Sequence, residues 1–153
     1  MRKNPSRSRA DSGSQSPLDQ ALRALRHRER SAAEVDRYLS ARSVGDDDRQ
    51  EVLETLARTA LVDDRRFAEQ RAMSLTDRGA GDELIRHELA RAGVDSELAE
   101  ETIASLSAEA ERAARIVARR GSGPKTARHL ARKGFSEDVV RAVVAYSGDE
   151  PLG

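Results

Sequence analysis

The side chains that could do chemistry are few and scattered. His27, His87 and His129 are the only histidines, and none has a second ligand type at the helical spacing that would complete a metal site. His87 and His129 sit among charged residues, as solvated surface histidines do. Asp46-Asp47-Asp48 could suggest magnesium, but three consecutive carboxylates point in different directions. They read better as a helix start, where carboxylates satisfy free amides. Gly79-Ala80-Gly81 and Gly121-Ser122-Gly123-Pro124-Lys125 superficially resemble phosphate loops. Neither follows a strand, and the second lacks the glycine-to-Lys-Ser/Thr spacing of a nucleotide-binding loop, so both read as helix–helix turns. Cysteine is absent, which removes thiol catalysis, disulfides and cysteine zinc sites together. The chain is expected to be no enzyme and to carry neither metal nor cofactor.

What remains is charge. Arg37 and Arg42, then Arg86 and Arg91, then Lys125, Arg128, Arg132 and Lys133 recur at related positions along the chain. On stacked helices they could form a broken basic stripe, following a phosphate backbone or meeting an acidic protein groove. Equally, arginine is a common helix-surface residue that pairs with Glu or Asp at i±4, and both readings stand. The formal net charge is zero, with 27 basic and 27 acidic residues. Any basic surface must therefore come from segregation rather than excess. Aromatics make up only 3%, which argues against base stacking on single strands as the main activity.

Helices must position these groups. Hydrophobic residues are 37% of the chain and charged residues 35%, a helix-forming mixture too poor in aromatics for one large core. From Leu18 onward apolar residues recur with helical period and nothing alternates with period two. The expected fold class is all-α. Leu18, Leu22 and Leu25 predict a helix running to about Arg30. Ser31-Ala32-Ala33-Glu34 has the spacing of a capping box, and Val35, Tyr38 and Leu39 carry the next helix to about Arg42. Gly45 breaks it, and Asp46 to Asp48 begin a third. Asp63 and Asp64 then open a helix with Phe67, Ala68, Ala72 and Leu75 on one face. Gly79 and Gly81 end that helix, and another, with Leu84, Ile85 and Leu89, closes at Gly93.

The pattern repeats. Leu39, Leu89 and Leu130 stand at offsets of 50 and 41 residues, each followed five residues on by Val44, Val94 or Phe135. Ser43, Gly93 and Gly134 coincide, as do Arg37, His87 and Arg128. A glycine in the left-handed conformation ends a helix and lets the next apolar residue fold back onto it. Serine departs from that pattern, so the first unit is expected to close with different geometry. Three-helix repeats are expected at 18–62, 63–107 and 108–147, between a disordered basic tail (1–17) and a flexible end (148–153). The tail carries Arg2, Lys3, Arg7 and Arg9 against Asp11, with too little apolar surface to offset its ordering entropy. It reads as a solubilising segment or as an arm that touches phosphates. Units this small bury little alone, so stacking into an elongated array is expected. No apolar run approaches the ~18–20 residues of a membrane span, and the N-terminus lacks a secretory core. A soluble, cytoplasmic monomer is the expectation.

The run Leu61-Val62-Asp63-Asp64-Arg65-Arg66-Phe67-Ala68 resembles the Leu-Asp-Asp-x-Arg-Phe-Ala signature of RecX regulatory proteins. The glycine turn followed by Ile85-Arg86-x-Glu88-Leu89 and Gly93-Val94 is similar to the family's next segment. Arg30-Ser31-x-x-Glu34 is similar to its first repeat, and Arg132-Lys133-Gly134-Phe135 with Val139 and Val140 to its last. The resemblance covers about residues 18–146; Val62 and Ser43 depart from it. It implies tandem three-helix repeats that bind RecA filaments on single-stranded or duplex DNA and damp filament growth, ATP hydrolysis and strand exchange. The expected contacts are the second-helix basic residues and the corner from Asp63 to Arg66, with Asp64 as a cap, Phe67 structural and Arg66 open. The alternatives are a helix-turn-helix DNA binder that needs no RecA, and an adaptor scaffold.

Overall fold

A computed structural model describes residues 15–147, and every regular element among them is an α-helix. These are α1 (Pro17–Leu25), α2 (Ala32–Ala41), α3 (Asp46–Arg58), α4 (Asp64–Asp77), α5 (Asp82–Arg91), α6 (Ser96–Ser105), α7 (Glu109–Arg120), α8 (Pro124–Arg132) and α9 (Glu137–Ser147). Most of the expected tail and the whole expected flexible end lie outside the described residues. The tail boundary needs correcting at its inner edge. The Ser16 hydroxyl caps α1 by accepting the Asp19 amide at 3.1 Å, and Pro17 sits in the first turn, where its missing N–H is no loss.

Helix–helix contacts concentrate inside three triplets, α1–α3, α4–α6 and α7–α9. Each triplet has its own core. Val35, Leu39 and Leu56 fill the first, Phe67, Leu75, Ile85 and Leu89 the second, and Ile116, Val117, Leu130 and Phe135 the third. Leu39, Leu89 and Leu130 are fully buried, each contributing about 1.5–3 kcal/mol.

Two expectations about helix ends are overturned. α1 stops at Leu25 rather than near Arg30. The run Arg26-His27-Arg28-Glu29-Arg30 has no apolar group to hold against the core. Instead Arg30 Nε donates to the Ala24 carbonyl at 2.7 Å, closing the helix end. The first unit also closes with the same geometry as the others. Ser43 takes φ 61°, beside 76° at Gly93 and 87° at Gly134. The amides of Val44, Val94 and Phe135 donate to Leu39, Leu89 and Leu130 at 3.1, 3.0 and 3.1 Å, the backward bond of a Schellman ending. The buried Val44 holds the turn closed, so the left-handed serine is tolerated despite the strain of order 1 kcal/mol that a Cβ brings there.

Candidate functional site

The second helix of each triplet meets the next one end against end. At the first joint the amino end of α2 docks on the carboxyl end of α5. The Ser31 hydroxyl donates to the Ala92 carbonyl and Arg37 Nη1 to the Arg91 carbonyl at 2.7 Å. Gly93 lies so close to Ala33 that a Cβ would overlap its methyl. At the second joint the amino end of α5 docks on the carboxyl end of α8. The Gly81 amide donates to the Lys133 carbonyl at 2.8 Å and the Glu83 amide to the Gly134 carbonyl at 3.0 Å. A Cβ on Gly81 would overlap the backbone of Gly134 and Phe135, and one on Gly134 would overlap Leu84. At both joints the orphan carbonyls of one helix end meet donors at another's start, and the helix dipoles align favourably.

The following first helix locks each joint. Asp64 Oδ1 accepts the Ala32 amide at 2.8 Å. Glu109 Oε1 accepts the amides of Asp82 at 3.3 Å and Ser136 at 2.9 Å. Asp64 is therefore a cap for α2, across the joint. The cap of its own helix is Asp63, which accepts the Arg66 amide at 3.1 Å. Arg66 chelates Glu29 at 2.9 and 3.2 Å and also donates to the Ala60 carbonyl at 3.0 Å. Phe67 is buried in the second core. Gly79, at φ 83°, turns the chain from α4 toward Gly81.

The remaining sequence-selected cations divide sharply. Arg42 lies over the Tyr38 ring at 3.5 Å. Arg86 chelates Glu100 and also pairs with Glu83; that arginine holds the Glu100 carboxyl below its ordinary range. Arg37 and Arg91 border a groove of about 450 Å³ at the first joint, shared with Arg28, Arg71, Glu34 and Glu88 and floored by Phe67 and Ala92. There Arg71 reaches Glu88 at 3.1 Å and Arg28 reaches Glu34 at 3.1 Å. Lys125, Arg128, Arg132 and Lys133 behave differently. None makes an ion pair or side-chain hydrogen bond with another described residue, and they line two shallow hollows with Arg119 and Arg120, the second of which also takes Asp77 and Arg78 from the end of α4. His129 lies among them. Partial burial, then the charges of Arg120, Lys133 and Arg132, push its pKa below the ordinary imidazole value. Asp46 to Asp48 form the first turn of α3 behind an N-cap at Gly45; Asp46 pairs with Arg49 and makes no cap bond.

Several residues of this arrangement escaped sequence reasoning. Ser31 was read only as a cap, and Asp82, Glu109 and Arg112 not at all. Arg112 is buried, donating to the Ala80 carbonyl at 2.8 Å, the Ser107 carbonyl at 3.0 Å and the Asp82 carboxylate. Its guanidinium stands over Phe135, 5.9 Å from the ring centroid. Arg119 and Arg120 were missed despite a plain signal. From Arg112 to Ser136 there are eight basic residues and no acidic one. That stretch carries +8 in a chain of net charge zero, leaving −8 on the rest.

Among the described residues no group of three or more His, Asp or Glu could hold a metal ion, and no helix is long and apolar enough to cross a membrane. Jointed three-helix modules define a helical-repeat protein. Residues 63–103 match the family model described as the second three-helix domain of RecX. The chain is 36% identical over 140 residues to a regulatory protein RecX from Chromohalobacter salexigens, covering 86% of this chain and 92% of that one. It is 34% identical over 146 residues to one from Stenotrophomonas maltophilia, covering 89% and 90%. The crystal structure of RecX from Lactobacillus salivarius superposes with a TM-score of 0.73 at 21% identity, over 86% of this chain and 94% of that one. The chain belongs to the RecX family, whose named relatives here are regulatory proteins rather than enzymes.

Proposed function

We propose that this protein is a negative modulator of the RecA recombinase. In this reading it binds RecA–DNA filaments as a monomer in the cytoplasm and damps their ATPase activity, growth and strand exchange, within DNA repair and SOS control. The observation that carries the reading is the likeness to regulatory relatives across 86% of the chain. Modules joined end to end suit a groove between successive protomers, where modest contacts add through avidity. The groove beside Arg37 and Arg91 would meet acidic groups of RecA. Arg66 and Arg86, already engaged within the chain, would support those contacts rather than make them.

The test is RecA ATPase on single-stranded DNA with this protein titrated in. Strong inhibition at one molecule per many RecA protomers is expected. No effect up to equimolar, from a folded helical protein, removes the reading for that RecA. The unpaired cations of α7 and α8 favour a second reading, a DNA-binding protein acting alone. It requires tight, steeply salt-dependent duplex binding and an ATPase unaffected by the protein.

A further inference from the structure

We propose that the α7–α8 face is a dedicated phosphate-backbone site, so that nucleic acid is held by the third module alone. The proposal deepens the RecA reading by giving the nucleic acid a place on the molecule, but it does not need RecA to be tested.

Charge is the first support. Arg119, Arg120, Lys125, Arg128 and Arg132 are exposed, Lys133 is partly so, and none has an acidic partner among the described residues. Elsewhere some arginines of similar exposure are matched, Arg65 by Glu101 and Arg141 by Glu137. Unmatched ones such as Arg23, Arg42 and Arg58 stand on or beside separate helices rather than together. Six unmatched cations on two adjoining helices repel one another. His129 registers that repulsion, because its neutral form is favoured by its burial and by the cations around it. A face in that state gains most from a polyanion.

Spacing is the second. α8 has nine residues, about 13 Å of helix, and carries Lys125, Arg128, Arg132 and, at its cap, Lys133. Lys125, Arg128 and Arg132 line one hollow along that length and Lys133 the neighbouring one, so a nucleic-acid strand lying across the face meets three cations in a row along a short run of phosphates. Surface chemistry is the third. Among the described residues the exposed large apolar ones are Leu18, Leu22, Leu61 and Met73, none of them on α7 or α8. The face thus lacks the apolar wedges with which a helix enters a membrane surface, and it has no exposed aromatic on which bases could stack. It fits the backbone and ignores sequence.

The experiment is fluorescence anisotropy with a fluorescein-labelled 30-base-pair duplex, a second duplex of unrelated sequence and a labelled oligo(dT), without RecA, over a salt series. The full chain is compared with K125Q/R128Q/R132Q, with R119Q/R120Q and with the matched-arginine control R141Q, whose arginine pairs with Glu137. Helix content and melting are checked by circular dichroism. The wild type is expected to bind both duplexes equally. The triple variant should lose at least about tenfold in affinity near 100 mM salt, and its log–log salt slope should fall by about 2–3. The double variant should lose less, and R141Q should stay within about twofold of wild type. His129, followed by NMR, should titrate higher when DNA is bound. Unchanged affinity in a folded triple variant overturns the proposal, as does a wild type that fails to bind any probe. So does a triple variant that keeps DNA affinity but loses inhibition of RecA, which would make the face a protein contact. A RecA titration that fails while DNA binding follows the expected pattern removes the RecA reading and leaves this one standing.

Discussion

The two joints follow one plan with opposite chemistry at their centres. In each, the start of a second helix docks on the end of the next, and a carboxylate from the following first helix caps an amide, Asp64 to Ala32 or Glu109 to Asp82. The α2–α5 joint is closed by a hydroxyl and by the Arg66–Glu29 pair, each partner about a third exposed. The α5–α8 joint is closed by Arg112, 8% exposed, against Asp82. Phe67 and Arg112 hold equivalent positions, one turn after Asp64 and Glu109. The difference teaches that backbone approach sets how the modules meet, while the side chain behind it is free to be aromatic or charged. The charged solution adds a buried ion pair to the backbone bonds that already close its joint.

Substitutions at the joints can break that comparison. Gly134→Ala combines a positive φ with overlap on the backbone of Leu84 and should cost about 3–5 kcal/mol in urea denaturation. Gly93→Ala meets mainly the methyl of Ala33 and should cost less, about 2–3 kcal/mol. Equal losses would mean the second joint is no tighter than the first. Arg112→Met strands a partly buried Asp82 beside Glu109 and should cost about 2–3 kcal/mol. Arg66→Met should cost measurably less, because its pair is already reached by water; the reverse order in thermal melts would reverse the account of the two centres. Ser31→Ala removes both a helix cap and the bond to Ala92 and should lower stability by about 1–2 kcal/mol.

The smallest effect is one of pH, and its sign differs between the joints. For Glu34, burial favours the neutral acid, but Arg28, the Ser31 amide and Arg30 outweigh it and lower its pKa from 4.5. Its contribution is complete above 4.5 and is lost as pH falls through the lowered value. For Asp82, burial and then the Glu109 charge outweigh Arg112 and raise its pKa from 3.8. The unfolded chain releases that proton first, so stability declines as pH rises from 3.8 through the raised value. Melting temperatures between about pH 3 and 6 should therefore climb less steeply in Glu34→Gln than in wild type, and more steeply in Asp82→Asn.

The all-α class was legible because helical periodicity is a local property, carried by spacings such as Leu18, Leu22 and Leu25 or Val35, Tyr38 and Leu39. The Ser31–Glu34 capping box was legible for the same reason, since both partners lie within one turn. What joins the modules was not. Asp64 and Ala32 are 32 residues apart, and Ser31 and Ala92 61, so no window along the chain brings them together. Arg66 and Arg86 stand out in the sequence as cations, yet Arg66 finds Glu29 in the segment between α1 and α2, and Arg86 finds Glu100 on α6. The cations of α8 differ because no acid stands between Arg112 and Ser136, and none pairs with them among the described residues. Arg112 defeats composition altogether: an arginine in an amphipathic run gives no sign that it replaces a core aromatic.

Ser43 also decides where this mode of stacking stops. Its Cβ stands where Gly93 and Gly134 have none, and those absences are what let Ala33 and Leu84 approach. A helix start arriving at the end of α2 would collide where the two internal joints close. At the opposite end Pro124 stands at the position of Ala32 and Asp82, and its ring nitrogen has no hydrogen for an incoming carboxylate to accept. The coupling used twice inside the molecule is disabled at both of its outer faces, one by an extra carbon and the other by a missing proton.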